Sequence, residues 1–281
     1  MWKAKLSRQM IQLKTADEIA LMRRAGLVVA GALRAVRGEI RAGVSTQDLD
    51  DVAERYIRGQ GATPSFLGYH GFPASICASV NEEIVHGIPL PTRRLREGDV
   101  ISIDCGAIVD GYHGDAAITV PVGDVSSDVL ELLRVTEMSL WAGLAAARLG
   151  GRLGDLSHAI EQSLRAHDHD YGIVRKYGGH GIGTEMHQDP HVLNYGRPGR
   201  GSRLVRGLAL AVEPMVTLGR PDTVELDDGW TVVSVDGSYA AHFEHTFTLT
   251  DEGPWVLTAE DGGAAKLAEF GLTVPARGQP T

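Results

Sequence analysis

The sequence predicts a mixed α/β fold in which two related halves place outer helices around a central sheet. Stretches with apolar residues at helical spacing alternate with short β-rich runs along the 281 residues. Two helices followed by several strands occur twice in this order. A short pattern also repeats at a constant offset of 107 positions: Arg41, Gly43, Asp48 and Leu49 match Arg148, Gly150, Asp155 and Leu156. Two copies of one unit most simply bury one shared core, with a functional site at their seam.

The first half begins with two predicted helices. Thr15 and Glu18 have the spacing of a capping box, and apolar residues at helical intervals extend the first helix to about residue 37. A second helix starts near residue 45 and ends in the glycine-containing stretch 59–61. The runs with strand composition that follow are 75–80, 100–109 and 112–120.

The second half repeats this order. Residues 127–149 are interpreted as a helix with five positions expected to be buried, namely Val129, Leu130, Leu133, Leu140 and Leu144. Another helix covers about 155–166, and strand-like runs follow at 208–217, 230–235 and 240–250. From Gly262 onward the chain is rich in small residues, glycine and proline, so we expect a weakly ordered terminus there.

Composition excludes several classes of protein. Hydrophobic residues make up 43% and charged residues 22%, which is typical of a globular chain. A net charge of −9 argues against a large basic surface for DNA or anionic membrane. Cys77 and Cys105 are too few for a disulfide scaffold, and no run has the length of a signal peptide core or a membrane span. We therefore expect a cytoplasmic protein.

An Asp-Gly pair at 110–111, flanked by two β-rich runs, predicts a hairpin with a two-residue turn. Such a turn places Gly106 opposite Asp115. Because side chains alternate along a strand, Asp104 and Asp115 then share one face, with Cβ atoms roughly 7 Å apart. The glycine would leave room between the two carboxylates.

Two buried carboxylates repel each other, and burying them unpaired is costly. A pair of divalent ions about 3.5–4 Å apart would resolve this conflict, because carboxylate oxygens can bridge two ions. The alternatives are that Asp115 lies on a solvated face or that a bulge breaks the alternation of side chains. Asp99 and Asp110 are interpreted as turn residues.

Three further residues are candidate ligands. His180 lies in a glycine-rich segment where backbone and metal can approach closely, Glu213 interrupts an apolar run, and Glu244 precedes one. A buried glutamate is rarely left unpaired. Each of the three could equally have a structural role, and Arg206 is the alternative partner of Glu213.

His86 lies in a loop-like segment and could donate a proton; the alternative is a loop histidine bound to a backbone carbonyl. The sequence contains no HExxH pattern, GxSxG elbow or P-loop, which excludes several other hydrolases and nucleotide-dependent enzymes.

Taken together, these segments resemble the type I methionine aminopeptidase family. The resemblance spans roughly 15–258 and rests on NEEIVHGIP at 81–89, Asp104, Asp115, GHGIG at 179–183, Glu213-Pro214 and EHT at 244–246. It implies the pita-bread fold, a pseudo-two-fold arrangement with a curved antiparallel central sheet and outer helices. The implied domain organisation is an extension at 1–14, a catalytic domain at 15–258 with halves 15–122 and 123–258, and a tail at 259–281.

The resemblance also implies two divalent metal ions, which could be cobalt, manganese, iron or zinc. Asp115 and Glu244 would bridge the ions, His180 and Glu213 would complete the shell of one, and Asp104 that of the other. A shell of oxygens with one imidazole suits several of these ions.

The implied reaction is removal of the initiator methionine from nascent proteins, favoured when the second residue is small. Glu213 would act as general base and proton shuttle as well as ligand. His187 would donate to the tetrahedral oxyanion, and His86 would contact the scissile amide nitrogen or protonate the leaving amine.

An apolar pocket for the methionine side chain is implied at five positions, Tyr69, Phe72, Cys77, Met186 and Trp230. Phe72 and Met186 stand where bacterial members of the family more often have tyrosine and phenylalanine, but both keep an apolar wall. Cys77 could equally be an inert core residue. Cys105, on the opposite face of its strand from Asp104, is interpreted as core.

By the same resemblance the partners are nascent N-termini and, transiently, the ribosome, with a monovalent cation near Asn81 and a monomeric chain. Two alternatives stay open. One is an Xaa-Pro aminopeptidase or prolidase, although these normally carry an additional N-terminal domain. The other is a catalytically silent pita-bread binding protein, although such proteins usually lose metal ligands.

Overall fold

A computed structural model describes residues 11–274 of the chain. The helices and strands of the first half are α1 (Ala16–Glu39), α2 (Thr46–Gly59), β1 (Thr63–Pro64), β2 (Ile76–Val80), β3 (Glu83–Val85), β4 (Val100–Val109) and β5 (Tyr112–Pro121). Those of the second half are α3 (Ser127–Ala146), α4 (Leu153–Arg165), β6 (Gly172–Ile173), β7 (Gly179–Gly181), β8 (Gln188–Val192), β9 (Ala209–Val212), β10 (Met215–Thr217), β11 (Thr223–Glu225), β12 (Val232–Ser234), β13 (Ala240–His242), β14 (Glu244–Thr250), β15 (Gly253–Val256) and α5 (Ala264–Glu269).

Both helices of the first half begin at capping boxes. The hydroxyl of Thr15 accepts from the Glu18 amide, and the Glu18 carboxylate accepts from the Thr15 amide at 2.7 Å, as the sequence predicts. Ser45 and Asp48 form the same reciprocal pair at the start of α2. These contacts satisfy amide groups that the first turn of a helix leaves without a partner.

A long antiparallel sheet forms the centre of the molecule. Its strands run in the order β1-β4-β5-β14-β9-β7-β8, with β2 paired to β4 and β15 paired to β14. Strands β4 and β5 come from the first half and β14 and β9 from the second, so the two halves meet at the β5–β14 pair, where Glu244 lies opposite Ala117. The predicted α/β fold with a curved antiparallel sheet and outer helices is confirmed.

Each half packs its helix pair on its own part of the sheet. One large apolar cluster contains Val29 of α1, Leu49 of α2 and Ile103 of β4. The other contains Leu132 of α3 and Leu156 of α4, together with strand residues of the second half. Each half thus contributes one helix pair and part of the sheet, which is the order of elements that the sequence predicts.

Two glycines allow helix α1 to lie against the sheet. A Cβ atom on Gly114 would lie 2.6 Å from the backbone nitrogen of Gly26, and a Cβ atom on Gly26 would lie 2.3 Å from the carbonyl oxygen of Leu257. Both distances are too short for any side chain. The close contact fixes the helix over the hairpin formed by β4 and β5.

Two predicted strands are interrupted in the structure. The run at 208–217 divides into β9 and β10, and the run at 240–250 divides into β13 and β14. Each break separates strands of different sheets. Strands β9 and β14 pair with each other in the large sheet, whereas β10 and β13 pair with each other in a small sheet. The two breaks lie beside each other, where Glu213 and Glu244 are located.

Two other expectations were wrong. Leu130 was expected to be buried in α3 but is 51% exposed, whereas the other four apolar positions named for that helix are buried. The weakly ordered terminus expected from Gly262 onward begins instead with helix α5, whose Leu267 is fully buried in the core. Small residues in this segment pack closely rather than indicating disorder. Residues 275–281 of the predicted tail and 1–10 of the predicted extension lie outside the described residues.

Within residues 11–274, none of the helices combines the length and apolar character needed to cross a membrane.

Candidate metal centre

The hairpin of β4 and β5 has the predicted register. Gly106 pairs with Asp115 and Asp104 pairs with Ala117, so both aspartates point to the same face. The turn residues Asp110 and Gly111 have φ values of 47° and 83°, as a two-residue turn of this kind requires. Asp115 is only 3% exposed, which excludes the solvated-face alternative, and no bulge interrupts the pairing.

The role of Gly106 differs from the prediction. A Cβ atom at this position would lie 2.8 Å from Cβ of Ser65 and 3.0 Å from the ring of Phe66. The space over the glycine is therefore filled by protein atoms and is not an opening for metal.

Neighbouring strands bring the other three candidate ligands to the same face. Glu244 of β14 pairs with Ala117, two positions from Asp115 on that face. His180 of β7 pairs with Ala211 of β9, and Glu213 follows two positions after Ala211. Because side chains of paired strand residues point to the same side, all these groups converge on the middle of the sheet.

The imidazole of His180 lies among the carboxylates. Its Nε2 atom is 3.6 Å from Oδ2 of Asp115 and 3.7 Å from Oε1 of Glu213. Its Nδ1 atom is 3.0 Å from the carbonyl oxygen of Gly181, which can only accept, so Nδ1 carries a proton. In the neutral ring the lone pair of Nε2 then faces the carboxylates, an arrangement that needs a cation between them.

Carboxylate oxygens in the centre also lack partners. Among the described residues, Oδ1 of Asp104, Oδ1 of Asp115 and Oε1 of Glu244 are buried and accept no hydrogen bond. Asp115, His180 and Glu244 each offer a ligand atom within 4.8 Å of the others. Orphaned buried acceptors are costly, and a coordinated metal ion removes that cost.

The pKa shifts have the same cause. Burial, together with the charges of Asp115 and Glu213, raises the pKa of Asp104 well above its usual range. Burial and the neighbouring carboxylates likewise raise the pKa of Glu244. Burial lowers the pKa of His180, but contact with Asp115 and the charge of Glu213 outweigh it, so the net shift is upward. The centre thus favours a positive charge at this point, whether a proton or a metal ion.

Arg206 does not neutralise Glu213. It is exposed and forms an ion pair with Asp251. The donor set of four carboxylates and one imidazole is oxygen-rich and fits divalent ions of intermediate hardness.

Two further predicted site residues, His187 and His86, have depressed pKa values. The ring of His187 lies 4.1 Å from that of His180, and its Nδ1 is 3.0 Å from the hydroxyl of Tyr69. Burial and the charge of His180 lower the pKa of His187 well below its usual range. Burial lowers the pKa of His86 to about 4, and its ring packs edge-on against Trp230. Both rings are therefore neutral near pH 7.

All five predicted pocket residues belong to one apolar cluster. Phe72, Cys77 and Met186 are buried in it, and the partly buried rings of Tyr69 and Trp230 pack against it. The rings of Phe72 and Trp230 meet at 5.1 Å, edge to face. Cys77 pairs with Asp104 across β2 and β4. This places the cluster directly beside the candidate metal centre.

The two cysteines have different environments. Cys105 is buried in the core under α1 and α2, as expected, while Cys77 lines the pocket cluster. Burial raises the pKa of both thiols. Cys77 is thus a neutral apolar wall, which suits either of the roles considered for it.

The sequence-based prediction missed two histidines. His242 lies in the centre, with Nε2 at 3.5 Å from Oε2 of Glu213. His113 lies on the same face as Asp115, and its Nδ1 contacts the hydroxyl of Ser65 at 2.9 Å. A usable signal existed in both cases, because each histidine lies two positions before a proposed ligand and alternation places such residues on one face.

Comparisons with known proteins agree with this geometry. The profile of metallopeptidase family M24 matches residues 20–251. A methionine aminopeptidase 1 from Mycobacterium tuberculosis is 54% identical over 255 residues, covering 89% of this chain and 96% of its own.

Solved structures give the same result. The crystal structure of a methionine aminopeptidase from Thermotoga maritima is 44% identical, with a TM-score of 0.87, and covers 89% of this chain and all of its own. A prolidase from Pyrococcus furiosus has a TM-score of 0.71 at 22% identity and covers 88% of this chain and 65% of its own. At that identity the prolidase shows a common fold alone.

Proposed function

Because the chain belongs to metallopeptidase family M24, within its methionine aminopeptidases of bacterial type, it removes N-terminal methionine from proteins, and we propose how its residues do so. The observation that carries the proposal is the convergence of four carboxylates on His180, with Asp115 and Glu244 buried and Asp104 and Glu213 half-buried. Asp104, Asp115 and Glu244 each have a buried oxygen that lacks a hydrogen-bond partner within residues 11–274.

Two divalent ions would be held by the five residues. Asp115 and Glu244 would bridge the ions, His180 and Glu213 would complete one shell, and Asp104 the other. Cobalt, manganese, iron and zinc all suit this donor set. When bound, such ions make water more acidic and polarise a carbonyl group. A monovalent cation near Asn81 belongs to the same proposal.

Glu213 would be the general base. Glu213 lies at the break between β9 and β10, and these two strands belong to different sheets. The backbone of Glu213 is therefore held on both sides by paired strands. Burial raises the pKa of Glu213, but contact with His242 and the charge of His180 lower it by more than burial raises it, so the net shift is downward. The group is therefore ionised near pH 7 and able to accept a proton.

His187 and His86 would be hydrogen-bond donors to the reacting peptide. If the hydroxyl of Tyr69 donates to Nδ1 of His187, the ring proton stays on Nε2, which can donate to a developing oxyanion. His86 would contact the scissile amide nitrogen. Both rings are neutral near pH 7 and so place a proton without adding a fixed positive charge.

The apolar cluster of Tyr69, Phe72, Cys77, Met186 and Trp230 would hold the methionine side chain. Flexible Met186 suits an unbranched thioether, because a thioether fills irregular apolar space and contacts aromatic rings favourably. The rings of His86, Trp230 and Tyr177 crowd together beside this cluster. The limited space beside these rings supports a preference for substrates whose second residue is small.

The substrates would be the N-termini of nascent chains in the cytoplasm, with transient ribosome contact and a monomeric enzyme. Two buried free thiols support a reducing compartment.

The test uses protein stripped of metal and then restored with cobalt or manganese. Met-Ala-Ser, Met-Leu-Ser and an Xaa-Pro peptide are assayed side by side. We expect cleavage of Met-Ala-Ser to depend on metal and to exceed that of Met-Leu-Ser, with little Xaa-Pro cleavage. Preferential Xaa-Pro cleavage, or none with any metal, would refute the assignment.

A further inference from the structure

One buried group in the centre has no role in the proposed reaction. His242 is 1% exposed and is the last residue of β13, two positions before Glu244. Within residues 11–274, its Nε2 atom has no hydrogen-bond partner at normal geometry. A buried ring nitrogen without a partner is costly, so its position calls for an explanation.

The backbone of His242 is fixed from both sides. Its carbonyl oxygen accepts from the hydroxyl of Thr119 at 2.7 Å, and its amide is 2.8 Å from the same oxygen. Ser102 contacts Thr119 at 2.9 Å, and Met215 of β10 pairs with His242. The ring therefore extends from a rigid point toward the carboxylates.

The ring approaches one particular carboxylate. Nε2 of His242 is 3.5 Å from Oε2 of Glu213, while Oε1 of the same carboxylate is 3.7 Å from Nε2 of His180. The two oxygens of Glu213 thus face two different imidazoles. His180 contacts both Asp115 and Glu213, whereas the ion-pair contact of His242 within residues 11–274 is with Oε2 of Glu213. Glu213, His242 and Glu244 also offer ligand atoms within 4.8 Å of one another, so direct ligation by His242 is the alternative that the test must separate.

We propose that His242 is a positioning residue for Glu213, donating an Nε2–H hydrogen bond to Oε2 and so directing Oε1 toward the metal. The inference rests on the proposed function, because it requires Glu213 to be a ligand. A carboxylate ligand can rotate about its side-chain bonds, and a donor on its outer oxygen fixes that rotation. Such outer contacts typically contribute about 10- to 100-fold to metal affinity or activity.

The test compares two substitutions at one position. His242→Gln keeps an N–H donor on a side chain of similar reach, whereas His242→Leu keeps the volume and removes the donor. Stripped proteins are titrated with manganese by calorimetry, and kcat is measured at saturating metal. We expect His242→Leu to bind metal about 10- to 100-fold more weakly, and His242→Gln to stay within a few-fold of wild type.

His245→Leu is the matched control. His245 is also a strand histidine of the same region, but its ring points away from the centre, bonds Thr258 at 2.8 Å and packs on Trp141. This variant should lose stability in thermal unfolding but keep wild-type metal affinity. It separates loss of a buried ring from loss of the contact with Glu213.

Three results would overturn the inference. One is wild-type metal affinity in His242→Leu, and another is an equal loss in the Leu and Gln variants. The third is found in the cobalt-loaded wild type, if proton NMR shows two hyperfine-shifted imidazole N–H resonances that fall to one in His242→Gln. That result would make His242 a ligand rather than a positioning residue. If stripped wild type binds no metal at all, the proposed function itself fails.

Discussion

At the scale of single residues, the metal-free centre contains unfavourable interactions, namely buried acceptors without partners and repulsion between carboxylates. A bound metal ion would remove both. Among residues 11–274, a buried oxygen of Asp104 has no hydrogen-bond partner, and burial together with the charge of Asp115 raises the pKa of this group. The folded metal-free protein therefore binds protons more readily at this group than the unfolded chain does. Above the unfolded pKa of about 4, this difference lowers stability as pH rises toward the folded pKa.

Asp104→Asn should therefore stabilise the stripped protein while impairing the metal centre. Near pH 7.5 we expect the free energy of unfolding to rise by about 1–3 kcal/mol, because a buried acceptor that lacks a partner costs about that much. The gain should shrink as pH falls toward about 4, where the unfolded carboxyl is protonated as well. Urea unfolding of both stripped proteins at several pH values measures this difference in the free energy of unfolding. A stripped variant less stable than wild type at neutral pH would contradict this account.

Sequence reasoning was strongest where alternation was tied to a defined turn. The pair Asp104 and Asp115 could be placed on one face because a two-residue turn leaves only one register. His180, Glu213 and Glu244 could not be placed in this way, since their convergence depends on strand order across the two halves. His242 could have been placed beside Glu244, because it lies two positions before that residue in the run 240–250 that the sequence predicts as one strand.

At the scale of elements, the hairpin of β4 and β5 sets the geometry of the centre. Its turn needs positive φ at both Asp110 and Gly111. An L-residue in the left-handed region costs about 1–2 kcal/mol, and a β-branched side chain costs more than most. Gly111 therefore allows the turn that fixes the register of β4 and β5, and this register brings the carboxylates of Asp104 and Asp115 together.

Gly111→Val should lower the free energy of unfolding by about 2 kcal/mol, measured by urea denaturation of stripped protein. Asp110→Asn is the control, because Asn-Gly suits the same turn and only the exposed pair with Arg24 is lost. The control should stay within about 1 kcal/mol of wild type. Equal effects of the two substitutions would show that the turn conformation does not matter.

Element boundaries show what local sequence cannot reveal. The breaks between β9 and β10 and between β13 and β14 arise because the chain passes from one sheet to another, which is a property of tertiary pairing. Helix α5 was missed because its small residues indicate disorder in isolation, although Leu267 packs into the core. In both cases long-range packing overrides the local pattern.

At the scale of the whole molecule, one buried cation links the two halves. Arg23 of α1 is fully buried, and its guanidinium donates to the carbonyl oxygens of Leu257, Ala259 and Glu260 at 2.5–2.8 Å. Burial lowers its pKa to about 10, so the group stays charged near pH 7. The first helix is thereby fixed to the segment that follows the last strand of the second half.

Arg23→Met should lower the free energy of unfolding by about 3–5 kcal/mol, because several buried carbonyl groups lose their donor together. Arg24→Met is the matched control at the next position; its exposed pair with Asp110 contributes at most about 1 kcal/mol. Urea unfolding of both variants measures the difference. A loss for Arg23→Met no larger than the control would show that the buried guanidinium does not hold the halves together.

The repeat visible in the sequence predicted the whole-molecule arrangement better than it predicted the site. Two helix pairs and a shared sheet follow from two copies of one unit. The metal centre lies near the seam, but its ligands come from β4, β5, β7, β14 and the break after β9, and no single repeat contains them. Their assembly therefore depends on how the two halves pair.

Five residues are proposed to form a dinuclear metal centre, and the whole of the proposed reaction depends on it. The most direct measurement is a crystal structure of manganese-loaded protein with anomalous diffraction. We expect two anomalous peaks about 3.5–4 Å apart, both within bonding distance of Asp115 and Glu244, with His180 and Glu213 on one ion and Asp104 on the other. Manganese bound elsewhere, or a single peak that Asp115 and Glu244 do not share at saturating metal, would contradict it.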